Sequence, residues 1–228
     1  MRLRHVIREP IEVCVSGYQY HLRATEAWVL APRAELGGAS WQSFFKSVST
    51  ADGVRSECLR TLPELREAAK VFHATSAVEQ VLSIRFEAFA SNFSSTMRAV
   101  FNFVSPVLRA RLPRAAAPDP ARLVDAVSPF DLATHAPKPS KASHVSSIAD
   151  KEALRSHLVG HARLRYVLLA LSEVLGYLPS QEFGAASTTV FNAERVFNEV
   201  DQIVNAFWRD EEQSPSKIGG AGWHFPDL

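Results

Sequence analysis

The feature that most constrains this fold is a stripe of apolar residues, spaced three or four apart, between residues 154 and 175. Such spacing places the side chains on one face of an α-helix, close to a heptad repeat. Asp150 is suited to cap the start of this helix, and Gly176 and Pro179 are suited to end it. The stripe therefore predicts a long helix that packs against other helices. Its members are Leu154, Leu158, His161, Leu164 or Arg165, Leu168, Leu171 and Leu175.

Other segments repeat the helical pattern. Ser40 is a suitable N-cap for a short helix over 41–48, and a second helix is predicted over about 54–72, opened or kinked by Pro63. A long amphipathic helix is predicted from about Ser76 to residue 104, and Pro106 ends or bends it. A last helix is predicted over about 189–209. Its apolar face comprises Phe191, Val196, Phe197, Val200, Ile203, Val204, Phe207 and Trp208.

The N-terminal part has a different period. Residues 11–30 alternate apolar and polar side chains around Ser16-Gly17, which is typical of a β-hairpin. With 46% apolar residues, the chain of 228 residues can bury a substantial core as one or two domains. We therefore expect a mainly α fold, a helical bundle, with a short N-terminal β element.

A proline-rich segment interrupts the helices. Seven of the thirteen prolines lie in residues 105–149, among Ala, Ser, Lys and His, which predicts a long loop with a short helix at 120–127. We expect three parts in the chain. These are an N-terminal extension with the β-hairpin (1–39), a helical bundle domain (40–210) with 105–149 as its internal loop, and a flexible C-terminal tail (211–228).

The charges are unevenly distributed, although the net charge is only +1. Residues 98–165 contain 11 Lys and Arg against 5 Asp and Glu, whereas residues 166–228 contain 3 against 9. This distribution argues against a uniformly basic protein and indicates a basic middle and an acidic end.

No catalytic or metal-binding signature is present. The sequence has no nucleophile elbow, phosphate-binding glycine loop, H-E-x-x-H or C-x-x-C motif, so we expect neither an enzyme nor a cofactor. His157 and His161 could place two imidazoles on one metal, but a third ligand is missing, and we interpret them as the polar edge of a helix. Cys14 and Cys58 are too few for a disulfide framework, which favours a reducing compartment. The longest apolar run, 166–178, contains Glu173 and is too short to span a membrane, so we expect no membrane partner.

The basic middle of the chain suggests two roles. If the helices on either side of the loop pack antiparallel, their basic residues collect near one end of the bundle, where guanidinium groups can bind phosphates. Alternatively, the arginines at residues 109–114 offset the dipole at the C-terminus of their helix. The candidate phosphate-binding residues are Arg109, Arg111, Arg114, Arg122, Lys138, Lys141, Lys151 and Arg155.

The order of several short motifs resembles a known family. A Trp-led segment (Trp41-Gln42-Ser43-Phe44-Phe45) is followed by RSECLRTLPEL, an Arg85-Phe86 pair, the proline-rich loop, RYVLLAL and a turn at Phe183. Over about residues 40–185 this order resembles the coat proteins of rod-shaped plant RNA viruses, with hordeivirus and tobamovirus coat proteins the most similar.

The resemblance implies a four-helix-bundle core and a structural role. Coat proteins of this family stack into a helical tube around single-stranded RNA, so the implied partners are copies of the same chain and RNA, in the virion and the host cytoplasm. Residues 105–149 would be the loop at the inner radius. Trp41, Arg85, Phe86 and Phe183 would be structural positions of the family pattern.

A second hypothesis needs no RNA. The apolar stripe over 191–208, if exposed, could dock a partner helix, and the basic residues would then only keep the chain soluble. The protein would be a non-enzymatic α-helical interaction or regulatory module.

Overall fold

The computed structural model describes residues 3–112, 119–131, 134, 148–177 and 192–212, and these residues form a mainly helical fold. Short 3₁₀ turns lie at Ala34–Leu36 and Ser128–Phe130. The strands and helices, in chain order, are β1 (Leu3–Ile7), α1 (Pro10–Arg23), α2 (Ala27–Leu30), α3 (Trp41–Ser47), α4 (Thr50–Thr75), β2 (Val81–Arg85), α5 (Phe86–Ser91), α6 (Phe93–Arg111), α7 (Pro120–Val127), α8 (Ile148–Val159), α9 (Ala162–Val174) and α10 (Ala193–Glu212).

The predicted N-terminal β element exists, but it lies at residues 3–7. β1 pairs in parallel with β2, and the register runs from Leu3 opposite Val81 to Ile7 opposite Arg85. Parallel strands need a long connection, which here contains the first four helices. Ile7 and Ile84 are buried.

The predicted β-hairpin over 11–30 is wrong, because α1 occupies most of that range. Pro10 is favoured in the first helical turn, and the Glu9 carboxylate before it accepts a hydrogen bond from the Glu12 backbone N–H at 2.8 Å. The apolar residues of this segment fit a helical period as well as an alternating one. Those that α1 buries are Ile11, Cys14, Val15 and Tyr18.

The single long helix predicted from Ser76 to residue 104 is also wrong. The segment forms β2, then α5, then α6, and Asn92 separates the two helices. The Asn92 side chain accepts a hydrogen bond from the Ser95 N–H at 3.2 Å and so caps α6. α6 continues through Pro106 to Arg111, so the first residues of the predicted loop are helical.

Cap and breaker residues explain the remaining boundaries. The helix at 120–127 is confirmed, with Asp119 as its N-cap, and so is the Ser40 cap of α3. α4 contains Pro63 and is longer than predicted. The predicted helix from Asp150 to Gly176 is divided at Gly160 into α8 and α9. Nearly half of the predicted loop, at 113–118, 132–133 and 135–147, lies outside the described residues, as does the tail from residue 213.

Contacts divide the chain into two compact units that do not follow the predicted boundaries. Unit 1 consists of residues 1–8 and 71–143, and unit 2 consists of residues 9–70 and 144–228. Because β1 pairs with β2, the first eight residues belong with the segment that follows α4. The predicted extension 1–39 is thus divided between the two units.

Unit 2 has an apolar core with one buried charged network. α9 buries Leu164, Leu168 and Leu171, as the leucine stripe predicted, and α9 packs against α10. In the same unit the side chain of Trp41 stacks on Phe45, with ring centroids 5.5 Å apart.

The charged network surrounds Glu57, which is fully buried on α4. Arg60 donates to both Glu57 carboxylate oxygens, at 2.9 and 2.7 Å, and His21 Nδ1 lies 3.1 Å from Oε2. Burial raises the pKa of Glu57, but the Arg60 hydrogen bonds and the nearby imidazole outweigh it and hold that pKa below its ordinary value.

Candidate nucleic-acid interface

The basic residues of the chain are concentrated in unit 1. Unit 1 contains eleven Lys and Arg against five Asp and Glu, whereas unit 2 contains fourteen against nineteen. The near-zero net charge of the chain therefore conceals a unit of charge +6 and a unit of charge −5. A positive unit of this kind can attract a polyanion.

α6 is the element that contributes most arginines to unit 1. It contains Arg98, Arg109 and Arg111 and no acidic residue. Arg98 and Arg109 are eleven residues apart, which is close to three full turns, so both lie on the same face about 16 Å apart along the axis. Asn102 is exposed between them on that face. The helix therefore exposes two cations about three turns apart on one side and has no acidic residue, while Ser105 on the same side is buried. Arg111, two residues after Arg109, lies on the opposite side of the helix.

Two other elements of unit 1 add further arginines. α7 packs against α6, and it exposes Arg122 in its first turn. α7 forms there because Asp119 accepts from the Ala121 N–H at 3.1 Å and Pro120 opens the helix. Arg4 is exposed on β1.

Five arginines of unit 1 are exposed without an ion pair to any acidic side chain of the described residues. In unit 2, by contrast, seven Lys and Arg side chains form ion pairs. Seven of the fourteen cations of unit 2 are thus paired within the fold, whereas these five arginines of unit 1 are available to an external anion. They are Arg4, Arg98, Arg109, Arg111 and Arg122, and we call this set, which comes from three elements of unit 1 rather than from one face, the arginine surface.

Two predicted RNA-binding residues have an internal partner instead. Lys151 and Arg155, on α8, both contact the Glu12 carboxylate of α1 within unit 2, with Lys151 Nζ 3.6 Å from Oε2. Burial opposes the charge of Arg155, but its hydrogen bonds to Glu12 raise the pKa of the guanidinium above its ordinary value. These two cations join α8 to α1.

The other predicted RNA-binding residues lie either in unit 1 or outside the described residues. Arg109, Arg111 and Arg122 lie in unit 1, in α6 and α7, which pack together. The remaining predicted RNA-binding residues, Arg114, Lys138 and Lys141, lie outside the described residues. The sequence patterns did not identify Arg4 and Arg98, although the absence of acidic residues from 1–8 and from α6 was a signal for both.

The four structural positions implied by the coat-protein resemblance differ in burial. Trp41 is buried in the aromatic core of unit 2. Phe86 is 46% exposed, and the Arg8 guanidinium lies over its ring, 4.7 Å from the centroid. Arg85 ends β2 and is exposed. Phe183 lies outside the described residues.

The described residues show no group of three or more His, Cys, Asp or Glu that could hold a metal ion. His157 and His161 do not share one helix, because the break at Gly160 separates them. His161 instead caps α9, and its Nδ1 accepts from the Leu164 N–H at 3.4 Å. Within the same part of the chain, no helix combines the length and apolarity needed to cross a membrane.

The apolar stripe of α10, which was a candidate docking site for a partner helix, is buried within unit 2. Val196, Val200 and Ile203 of α10 are fully buried, and α10 packs against α9. The hypothesis of an interaction module required this stripe to be exposed. The described part of the stripe therefore serves the core of unit 2.

Comparison with known protein families, with curated proteins and with solved structures found no match to this chain.

Proposed function

We propose that this protein is a structural, non-enzymatic coat protein that binds single-stranded RNA and assembles with copies of itself into helical particles. The observation that supports RNA binding is the arginine surface of unit 1, where five exposed guanidinium groups have no acidic partner among the described residues. Guanidinium groups donate two parallel hydrogen bonds to phosphate oxygens, and binding releases the counterions of the RNA.

The geometry of this surface suits a strand better than a single small anion. Arg98 and Arg109 are separated by about three helical turns, so one compact phosphate group cannot contact both. An extended polyanion can contact both at once, and each contact can be weak because it repeats along the strand. The phosphate backbone, rather than the base sequence, would be recognised.

Two features support assembly between copies. Large apolar side chains remain exposed in both units, with Phe130 at 72% and Trp28 at 46%. In addition, β1 and β2 each have an outer edge with no partner strand within the described residues, and such edges pair readily with another chain. The order of motifs over residues 40–185 supports the same role. A four-helix-bundle core and an inner position for the segment between α6 and α8 belong to this proposal.

The salt dependence of RNA binding tests the proposal. Binding of a short unstructured RNA by five arginines gives a slope of about −3.5 in log K against log salt, or a loss of roughly 100-fold in affinity between about 50 and 200 mM. In the variant R98Q/R109Q/R122Q, two of these arginines remain, and we expect a slope of about −1.4 and a loss of roughly sevenfold.

A control variant with the same net charge as R98Q/R109Q/R122Q distinguishes binding by the arginine surface from an effect of the total charge of the protein. R23Q/K46Q/R195Q removes three exposed cations of unit 2 and should retain the slope of the unaltered protein. Equal slopes for all three proteins, or an equal reduction in both variants, would show that the arginine surface does not bind RNA. Circular dichroism confirms that each variant keeps its helical content.

A further inference from the structure

The only two cysteines of the chain lie side by side in the core of unit 2. Cys14 on α1 and Cys58 on α4 are 44 residues apart in sequence, yet their Sγ atoms are 2.7 Å apart. Both side chains are fully buried as free thiols. A disulfide bond is about 2.05 Å long, so the two sulfurs need to approach by only about 0.7 Å to form one.

Small residues near the cysteines allow the two helices to approach each other. A Cβ atom on Gly17 of α1 would lie 2.2 Å from Glu57 Oε1, and a Cβ atom on Gly53 of α4 would lie 2.5 Å from the Tyr18 ring. As α1 runs from residue 14 to 18, its neighbours on α4 run from 58 back to 53, so the helices cross in opposite directions. Cys14 and Cys58 are thus held together by the packing around them.

The environment of the thiols determines when they can react. Burial is the main cause that raises the pKa of the Cys14 thiol well above its ordinary value, and Cys58 and Glu57 add to it. Because the thiolate is the reactive form, the folded protein protects the pair from reagents in solution. Reaction then takes place while the chain folds or when α1 opens from α4.

We propose that Cys14 and Cys58 form an intramolecular disulfide that joins α1 to α4 when the chain folds in the presence of a small-molecule disulfide such as glutathione disulfide. One cysteine thiolate attacks a sulfur of glutathione disulfide, forming a mixed disulfide and releasing one glutathione thiolate. The second cysteine thiolate then attacks the protein sulfur of the mixed disulfide, forming the Cys14–Cys58 bond and releasing the second glutathione. The two cysteine protons pass to solvent. This inference does not depend on the proposed function.

Refolding tests the proposal, because it exposes both thiols before they are buried. The full chain is unfolded in guanidinium chloride, refolded in glutathione redox buffer, unfolded again without reductant, alkylated in that state and weighed by mass spectrometry. We expect a loss of about 2 Da, one proton from each thiol and two electrons, and no alkylation. Peptide mapping without reductant should show Cys14 linked to Cys58. The oxidised protein should melt roughly 10 °C above the reduced protein, because the bond restricts the unfolded chain.

Single variants provide the controls. C14A and C58A cannot form an internal bond, so neither should lose 2 Da. Each should also melt at the same temperature after refolding in glutathione redox buffer as after refolding in reducing buffer. Two free thiols, glutathione adducts on both cysteines, or bonds only between different chains in the refolded protein would overturn the proposal. The peptide map of the unaltered chain decides the matter even if a variant fails to fold.

Discussion

Replacement of Arg60 by methionine should destabilise the protein strongly at neutral pH. Met retains much of the apolar stem of Arg60 but removes the guanidinium group that donates two hydrogen bonds to Glu57. The Glu57 side chain is 1% exposed, so the variant leaves a buried carboxylate whose remaining partners are the His21 imidazole and the Thr61 hydroxyl. Unpairing a buried charge is much more costly than breaking a surface ion pair.

The expected magnitude follows from the burial of the pair. Removal of one partner of a buried ion pair costs about 3–5 kcal/mol, and the 26% exposure of the Arg60 side chain places this case near the lower end, at about 3 kcal/mol. For a chain of this size, that loss lowers the melting temperature by roughly 6–12 °C. Urea denaturation at pH 7 measures the free energy of unfolding directly.

The pH dependence of the loss identifies its cause. The pKa of Glu57 is lowered in the folded protein, so its contribution to stability is present above the ordinary value of 4.5 and is lost as pH falls through the lowered pKa. In R60M the hydrogen bonds are gone and burial remains, so we expect that pKa to rise above 4.5. The free-energy difference between the two proteins should then be largest at pH 7 and smaller at pH 4.

A second arginine on the same helix provides a matched control. Arg55 lies 3.8 Å from Asp52, and both side chains are about a quarter exposed. R55M should therefore cost only about 0.3–0.5 kcal/mol. Adding E57Q to R60M should restore part of the lost stability, because no buried charge then remains. A loss in R60M no larger than in R55M, or one that does not change with pH, would refute this explanation of the network.

Two further substitutions test the packing of unit 2. G17A should destabilise the protein by about 1–3 kcal/mol in urea denaturation, because the new methyl group meets the Glu57 carboxylate, which Arg60 holds in place. An unchanged or higher stability would show that α1 and α4 are not in close contact there. L168A should cost about 2–5 kcal/mol by the same measurement, because Leu168 is fully buried on α9. A cost below about 1 kcal/mol would show that the leucine stripe is not the core of unit 2.

The sequence predicted those elements that local signals define. The Asp119-Pro120 pair marks the start of α7, and the leucine spacing marks the buried face of α9. α1 was mistaken for a hairpin because Ile11, Val15 and Tyr18 satisfy both an alternating and a helical pattern. Over so short a segment the two periods cannot be distinguished without the capping role of Glu9.

The candidate site was only partly predictable for a different reason. The count of charges along the chain located the basic middle, and three of the RNA-binding residues predicted there, Arg109, Arg111 and Arg122, belong to the arginine surface. Lys151 and Arg155 were included with them because their partner Glu12 is far away in sequence, 143 residues from Arg155. Whether a cation is paired within the fold depends on tertiary contacts, which a local pattern does not contain. Arg4 was missed because its place in unit 1 depends on the pairing of β1 with β2.

Electron microscopy of the purified chain, with and without single-stranded RNA, tests the central claim most directly. A coat protein of the proposed kind should form rods or filaments with RNA at low salt, and R98Q/R109Q/R122Q should form few or none under the same conditions. Discrete particles of one size, unchanged by RNA at any salt concentration, would contradict the proposal.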